Sequence, residues 1–438
     1  MTLSTARRLA ARAMPHGVSE TTSAEVRGAF AASRASAEPA RIEGIIDGAA
    51  ATVPFYRRLG NRPLLELPVV DKTMMVRSPE DFLATGARPG RLPSRMSSGS
   101  SGIPFTSYLD PDRLARHRSQ LVGGYRHLGI DPFGPVVHCR PWIHATRSQR
   151  LSSSLRGQIL YAGEREEATL RRLVRRLSRA RGALVVGLSS FVEILLRALE
   201  EEEIEIPDGS VGAVLGVGEP ASRYLLHRAP RATGVPLSRR YSSMELGIMG
   251  LARGADEHYH LDTSTYHVEI LETDSDAPAA PGAVGRIVVT DLHNRAMPFL
   301  RYDTGDLGRL ARDASGSAVP NVLAELVGRR SDIPLGGTPE APVRASCYRL
   351  FMQVDRLEGI RQFQLRQHAI GEFTWVLNAQ PTAEIEASVR RLLAEEIGDI
   401  RRCQVEFVPE VPLSQSGKAR FFLNEIPDPD ALLRAPGR

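Results

Sequence analysis

The residues with the most chemical potential fall in five short stretches. The first, Ser97–Gly102, reads "SSGSSG". It admits two readings: a flexible Ser/Gly linker, or a loop whose backbone N–H groups and hydroxyls wrap a phosphate. Lacking the GxxxxGK[ST] pattern, it is not a Walker A loop. The others are "GVGEPAS" (Gly216–Ser222), "YSSMELG" (Tyr241–Gly247), "RYDTGDLGRL" (Arg301–Leu310) and "PLSQSGKAR" (Pro412–Arg420). They supply the carboxylates Glu219, Glu245 and Asp306, the aromatic Tyr241 and the ammonium of Lys418. That lysine stands out. All but two of the 56 basic residues are arginine, the exceptions being Lys72 and Lys418. A lysine kept in such a chain marks a place where a compact point charge on a flexible stem serves and a planar fork does not.

The elements that position these residues follow from length and pattern. At 438 residues the chain exceeds one ordinary core, so two domains are expected. Its 42% hydrophobic and 24% charged content is that of a soluble globular protein. The best apolar run, "GALVVGLSSFVEILLRAL", is broken by Glu193 and Arg197, short of a membrane helix. The Arg-rich start, "MTLSTARRLAARAMPHG", has no apolar h-region and reads as a surface helix. Cys139, Cys347 and Cys403 are widely separated, with no disulfide framework and no CxxC zinc spacing, so the cytoplasm is the expected compartment. His138 and Cys139 read as a core pair. The net charge is +5, yet runs such as "LRRLVRRLSRARG" space Leu170, Leu173 and Leu177 helically. The arginines are then the wet face of an amphipathic helix, and no nucleic-acid partner is expected.

The first 90 or so residues read as helices followed by a turn-rich stretch. "FTSYL" has β character, and Asp110–Pro111 caps a helix through "DRLARHRSQLVGGYRHLG". The runs "GPVVHC", "GALVVGL" and "VGAVLGV" then alternate with helical patterns, which argues for α/β layers with largely parallel strands. Next come β runs with close turns: "YHVEIL", "GRIVVTDL", "LGRLAR". The cluster "GRRSDIPLGGTPEAP" breaks the periodicity and is taken as the domain boundary. Two helices and the strands "RQFQLRQ", "EFTWVLN" and "CQVEFVP" form a small α+β domain beyond it.

Taken in order, the five stretches resemble the adenylate-forming (AMP-forming) ligase superfamily, in its phenylacetate–CoA ligase-like branch. "PFYRRL" and "LPVVDK" resemble the same branch. The resemblance implies a large multi-layer α/β domain (1–327), a hinge (328–332) and a small mobile α+β domain (333–438). It implies that Ser97, Ser98, Gly99, Ser100, Ser101 and Gly102 close on the β- and γ-phosphates of ATP. Gly218, Glu219 and Pro220 would lie on the adenine side, with Tyr241 against the ring and Ser242, Ser243 and Met244 nearby. Glu245 would hold Mg²⁺. Asp306 would accept from both ribose hydroxyls, an acceptor-only task, and Arg329 would reach ribose or phosphate. Lys418 would contact the acid and the α-phosphate as pyrophosphate leaves.

The departures are specific. Ile103 stands where relatives usually carry Lys, Met244 replaces a hydroxyl residue, and Asp303 replaces the Arg of Tyr-Arg-Thr-Gly-Asp. The acidic hinge pair is reduced to Ser331 and Asp332, and the following loop has lost its usual form. The expected activity is therefore ATP- and Mg²⁺-dependent adenylation of a small, aromatic acid, with the adenylate captured by a second nucleophile other than CoA. Alternatives are a diazotase that activates nitrite to convert an aryl amine to a diazonium, an aryl-CoA ligase, and a degenerate nucleotide-binding protein. A cytoplasmic monomer or homodimer in secondary metabolism, with no membrane partner, is expected.

Overall fold

The computed structural model describes residues 17–32, 36–97, 105–139, 158–161, 163, 166–330, 334–339, 341–344, 348–354, 357–412 and 421–426. The expected site residues Ser98, Gly99, Ser100, Ser101, Gly102 and Lys418 lie outside the described residues, as do Ile103, Ser331 and Asp332. The chain divides into two compact units, one of Met1–Pro220 with Arg228–Leu326, the other of Ala221–His227 with Val327–Arg438.

The larger unit begins with helices α1 (Glu20–Ala31), α2 (Pro39–Thr52), α3 (Pro54–Leu59) and α4 (Lys72–Arg77), then the strands β1 (Ser94–Ser97) and β2 (Phe105–Tyr108). α5 (Pro111–His127) leads into β3 (Val136–Cys139), β4 (Gln158–Tyr161), α6 (Glu167–Ala180), β5 (Ala183–Leu188), α7 (Ser189–Glu201), β6 (Val211–Val217), α8 (Arg223–Thr233) and β7 (Leu237–Ser243). β8 (Gly247–Ala252), β9 (Tyr259–Leu261), β10 (Tyr266–Leu271), β11 (Gly285–Asp291), β12 (Tyr302–Arg312) and β13 (Ala318–Arg329) follow.

One eleven-stranded sheet runs in the order β10-β11-β12-β13-β9-β8-β7-β6-β5-β3-β4. From β4 to β7 its neighbours are parallel, because helical crossovers such as α6 and α7 return the chain to the same edge. Beyond β7 the described pairings are antiparallel. The sequence pattern of largely parallel strands therefore holds for one half of the sheet, and the later β runs extend that same sheet.

α5 forms where expected: the Asp110 side chain accepts from Arg113 N–H, and Pro111 opens the first turn. α6 buries Leu170, Leu173, Val174 and Leu177 and leaves its arginines wet. Cys139 is fully buried. One core joins Val26 and Phe30 of α1 to Leu184, Val186, Leu215 and Leu251 of the sheet. Another gathers Tyr56, Tyr241, Tyr266, Phe299 and Tyr302 with α2 and the antiparallel strands.

In the smaller unit the segment that reads as aperiodic holds a hairpin, β14 (Leu335–Thr338) paired with β15 (Ala341–Arg344). α9 (Tyr348–Val354) and α10 (Ala383–Ile397) accompany a four-stranded sheet. Its strands β16 (Ile360–Ala369), β17 (Glu372–Ala379), β18 (Arg402–Phe407) and β19 (Phe422–Asn424) run in the order β18-β17-β16-β19. Trp375, Phe373, Leu365, Val389 and Leu393 fill its core. No described helix is long and apolar enough to cross a membrane.

Candidate active site

Two backbone irregularities build the site. The first is the hairpin between β7 and β8, where Ser243 pairs with Gly247 and Met244, Glu245 and Leu246 form the turn. Ser243 Oγ accepts from Leu246 N–H at 3.1 Å and pins that turn. Gly247 has φ +100°, and a Cβ there would lie 2.7 Å from His117 Nδ1, so only glycine fits. Glu245 is thereby held at a hairpin tip, where its Oε1 accepts from the Tyr302 hydroxyl at 3.2 Å. Met244 is 51% exposed beside it and has no hydroxyl to offer a phosphate.

The second irregularity lies within β12. Arg286 pairs with Leu307 and Val288 with Asp303, so the segment Thr304–Asp306 bulges from the ladder. Gly305 takes φ +77° at the bulge. Its side chains staple it: Asp303 Oδ1 accepts from Gly305 N–H at 2.8 Å, and Thr304 Oγ1 donates to Ile287 O at 2.8 Å. The bulge re-aims Asp306, whose Oδ2 accepts from the Tyr241 hydroxyl at 2.8 Å. The strands carrying these two residues are separated by β8, β9 and β13 in the sheet order, so the sheet curls to bring them together. Asp303, a departure from the resembled motif, is buried and pairs with Arg286 at 3.0 Å.

The approach to the bulge is strained. Arg301 is a buried non-glycine residue at φ +46°, a conformation costing on the order of 1–3 kcal/mol. Its guanidinium offsets that cost by pairing with Glu269 at 3.0 Å and donating to Leu65 O and Leu67 O. Val70 exchanges backbone hydrogen bonds with Arg301 and Asp303. This docks the "LPVVDK" segment beside the bulge. Asp71 caps α4 there by accepting from Met74 N–H at 2.8 Å, which places Lys72 in the first turn of that helix.

A buried polar network lies beneath the hairpin, and sequence reasoning missed it. Arg113 pairs with Asp291 at 2.6 Å. It also donates to Tyr266 Oη and Leu246 O, each at 2.7 Å, and to Gln120 Oε1 at 3.2 Å. Gln120 passes the chain to Asp262, which also accepts from Thr265. Burial works against the Arg113 charge, but Asp291 and Tyr266 hold it above the ordinary arginine range. Burial pushes the Tyr266 hydroxyl up to about 12. The available signal was Arg113, His117 and Gln120 at helical spacing on the face of α5 that also carries Gly124.

The remaining expected residues are more dispersed. Ser97 ends β1 and pairs with Phe105 of β2. Gly218 follows β6 at φ +74°. Glu219 closes onto the start of α7: its Oε2 accepts from Ser190 N–H at 3.0 Å, and its carbonyl accepts from Ser189 Oγ at 3.1 Å. The helix N-terminus favours a carboxylate there. Pro220 ends the first stretch of the larger unit. Ser242 lies at the irregularity of the β7–β8 pairing. Arg329 is the exposed last residue of β13, so the start of the expected hinge is strand.

Among the described residues no group of three or more His, Cys, Asp or Glu side chains could hold a metal ion. Mg²⁺ asks for less: it dehydrates reluctantly and takes one or two carboxylates together with nucleotide phosphates. Glu245, half-buried and with Oε1 tethered by Tyr302, fits that demand.

Searched against protein-family models, the chain matches none. It is 28% identical over 145 residues to a phenylacetate-coenzyme A ligase of Thermus thermophilus, a match spanning 32% of each chain. The match thus spans about a third of that relative's length. Among solved structures, 2-hydroxyisobutyryl-CoA ligase in its postadenylation state, in complex with 2-HIB-AMP, is similar at 17% identity. It covers 90% of both chains with a TM-score of 0.65. ATP-bound MatB from Rhodopseudomonas palustris is 18% identical, covering 74% of this chain and 65% of its own, with a TM-score of 0.51. The fold is that of the adenylate-forming enzymes.

Proposed function

We propose that the protein uses ATP and Mg²⁺ to adenylate a small acid. A carboxylate oxygen attacks the α-phosphorus, and the bond from that phosphorus to the bridging oxygen of pyrophosphate breaks. The observation that carries this is the Tyr241–Asp306 hydrogen bond of 2.8 Å. It joins two motifs more than 60 positions apart, and Tyr302 of the second motif holds Glu245 of the first. Asp306 would exchange the tyrosine hydroxyl for ribose hydroxyls. Tyr241, buried and edge-on to Tyr259 with ring centroids 6.5 Å apart, would flank the adenine. Residues 97–102 would wrap the β- and γ-phosphates, and Gly218–Pro220 and Arg329 would complete the nucleotide contacts. Mg²⁺, held at Glu245, would supply positive charge to the departing pyrophosphate. Lys418 would stabilise charge developing between the acid and the α-phosphate.

The acid is proposed to be aromatic, as the likeness to a phenylacetate-coenzyme A ligase suggests. The acceptor is proposed to be a nucleophile other than CoA, on the sequence of the hinge and the loop beyond it. AMP release across a panel of acids tests both points, with CoA, amines and nitrite each present or absent. Acid-dependent AMP release unaffected by CoA supports the proposal. Steady turnover to an acyl-CoA, at ordinary enzyme rates of ~1–10³ s⁻¹, refutes the acceptor. Release that requires nitrite and an aromatic amine makes the protein a diazotase.

A further inference from the structure

Asp303 stands where the resembled motif carries arginine, yet a guanidinium still serves the position from another strand. Arg286 of β11 provides it, and both residues are buried. Its Nη1 donates to Asp303 Oδ2 at 3.0 Å. The rest of the fork holds the segment that follows β10. Nε donates to Glu272 O at 2.8 Å, and Nη2 donates to Ser275 O and Asp276 Oδ1 at 2.6 and 2.7 Å. Asp276 is exposed, so Arg286 ties a surface segment to a buried carboxylate.

The place of this pair in the ladder gives it a task. Arg286 pairs with Leu307 on one side of the bulge, and Asp303 pairs with Val288 on the other. Their ion pair therefore spans the mouth of the bulge. One oxygen of Asp303 takes Arg286 from across the ladder, and the other takes Gly305 N–H at 2.8 Å within the bulge. An aspartate that bonds the backbone two residues on is a turn former. Thr304 completes the frame: its Oγ1 donates to Ile287 O and accepts from Asp306 N–H at 3.2 Å. Asp306 comes next, aimed at the Tyr241 hydroxyl 2.8 Å away. Removing the guanidinium strips the buried Asp303 of its counter-charge on Oδ2. A carboxylate so stripped turns toward water, which draws Oδ1 off Gly305 and loosens the frame around Asp306.

We propose that Arg286 is a positioning residue for nucleotide binding: through Asp303 it sets the bulge that aims Asp306 at the ribose. In this role it touches no part of the nucleotide and acts only through Asp303. The proposal rests on the reading of Asp306 as the ribose acceptor given above.

The test is calorimetric binding of ATP and of 2′-deoxy-ATP, with no acid present, to the intact protein and to Arg286→Met. A carboxylate accepting from the ribose hydroxyls should give the intact protein at least a ~tenfold preference for ATP, and Arg286→Met should lower it below ~threefold. A merely structural role would lower the unfolding midpoint and leave the preference of the folded protein intact. Asp303→Ala leaves Arg286 its contacts with Glu272, Ser275 and Asp276. It should show the same collapse, and it replaces Arg286→Met throughout if that variant does not fold. In parallel, nucleotide-free protein labelled with ¹³Cζ-tyrosine is followed by NMR, the Tyr241 signal being assigned with Tyr241→Phe. In Arg286→Met that signal should move toward the position it takes in Asp306→Ala. A preference retained by the variants, or a Tyr241 signal they leave unmoved, overturns the proposal. An intact protein that binds neither nucleotide, or both equally, removes the ribose role of Asp306 instead. The Tyr241 signal then decides by itself whether Arg286 aims that carboxylate.

Discussion

Arg113→Leu removes the centre of the network under the hairpin that carries Glu245, and its cost follows from what is left behind. Asp291 retains the backbone N–H groups of His293 and Asn294 on Oδ1 but loses its counter-charge at 2.6 Å on Oδ2. Tyr266 and Gln120 each lose a partner, while Leu246 O keeps Tyr266 as a donor. Breaking a fully buried ion pair from one side costs about 3–5 kcal/mol, so a loss of at least ~3 kcal/mol is expected. The assay is urea unfolding followed by circular dichroism, with the transition of the larger unit fitted separately. The double variant Arg113→Leu with Asp291→Leu should be less destabilised than the single one, because no unpaired charge remains. A single-variant loss under ~1 kcal/mol, or a double variant worse than the single, would refute the reasoning.

Asp306→Ala should weaken ATP binding by roughly 1–3 kcal/mol, the cost of leaving ribose hydroxyls without their acceptor; unaltered affinity by calorimetry would assign the bulge a purely structural role. Gly247→Ala should destabilise by about 1–3 kcal/mol, since a side chain at φ +100° is strained and its Cβ meets His117. Chemical denaturation checks this, and an unchanged midpoint would contradict it. Stability should also fall as pH drops below about 6.5, the pH at which an unfolded histidine takes up a proton. Burial and neighbouring arginines hold His117 down to about 2, and burial and His260 hold His127 down to about 4, so both stay neutral in the fold through most of that range. His117 alone should cost about 1.4 kcal/mol by pH 5.5. Urea midpoints at pH 7.5 and 5.5 that coincide would exclude it.

What could be read from the sequence was local. The Asp110 cap, the leucine stripe of α6 and the short β runs are set by residues a few positions apart, and the structure has them. The order of the motifs along the chain was likewise visible, and it carried the resemblance to the adenylate-forming enzymes whose fold the chain shares. Long-range pairing was not. Nothing near Asp303 announces that Arg286 neutralises it, and nothing near Tyr241 announces the hydrogen bond to Asp306 across a curled sheet. The "TGD" stretch is a bulge inside a continuous strand, and its register with β11, not its own residues, makes it so. Arg113 was hidden for a compositional reason: in a chain whose bases are nearly all arginine, a buried arginine looks like any exposed one.

The central claim is tested most directly by ATP–pyrophosphate exchange in the intact protein and in Lys418→Ala, with ATP affinity measured alongside. The intact protein should exchange label only when a suitable acid is present. Lys418→Ala should bind ATP normally while losing ~10²–10³-fold in exchange, the loss expected on removing one donor to developing charge. Full exchange by the alanine variant, or ATP binding with no exchange for any acid, would contradict adenylation as the function of this site.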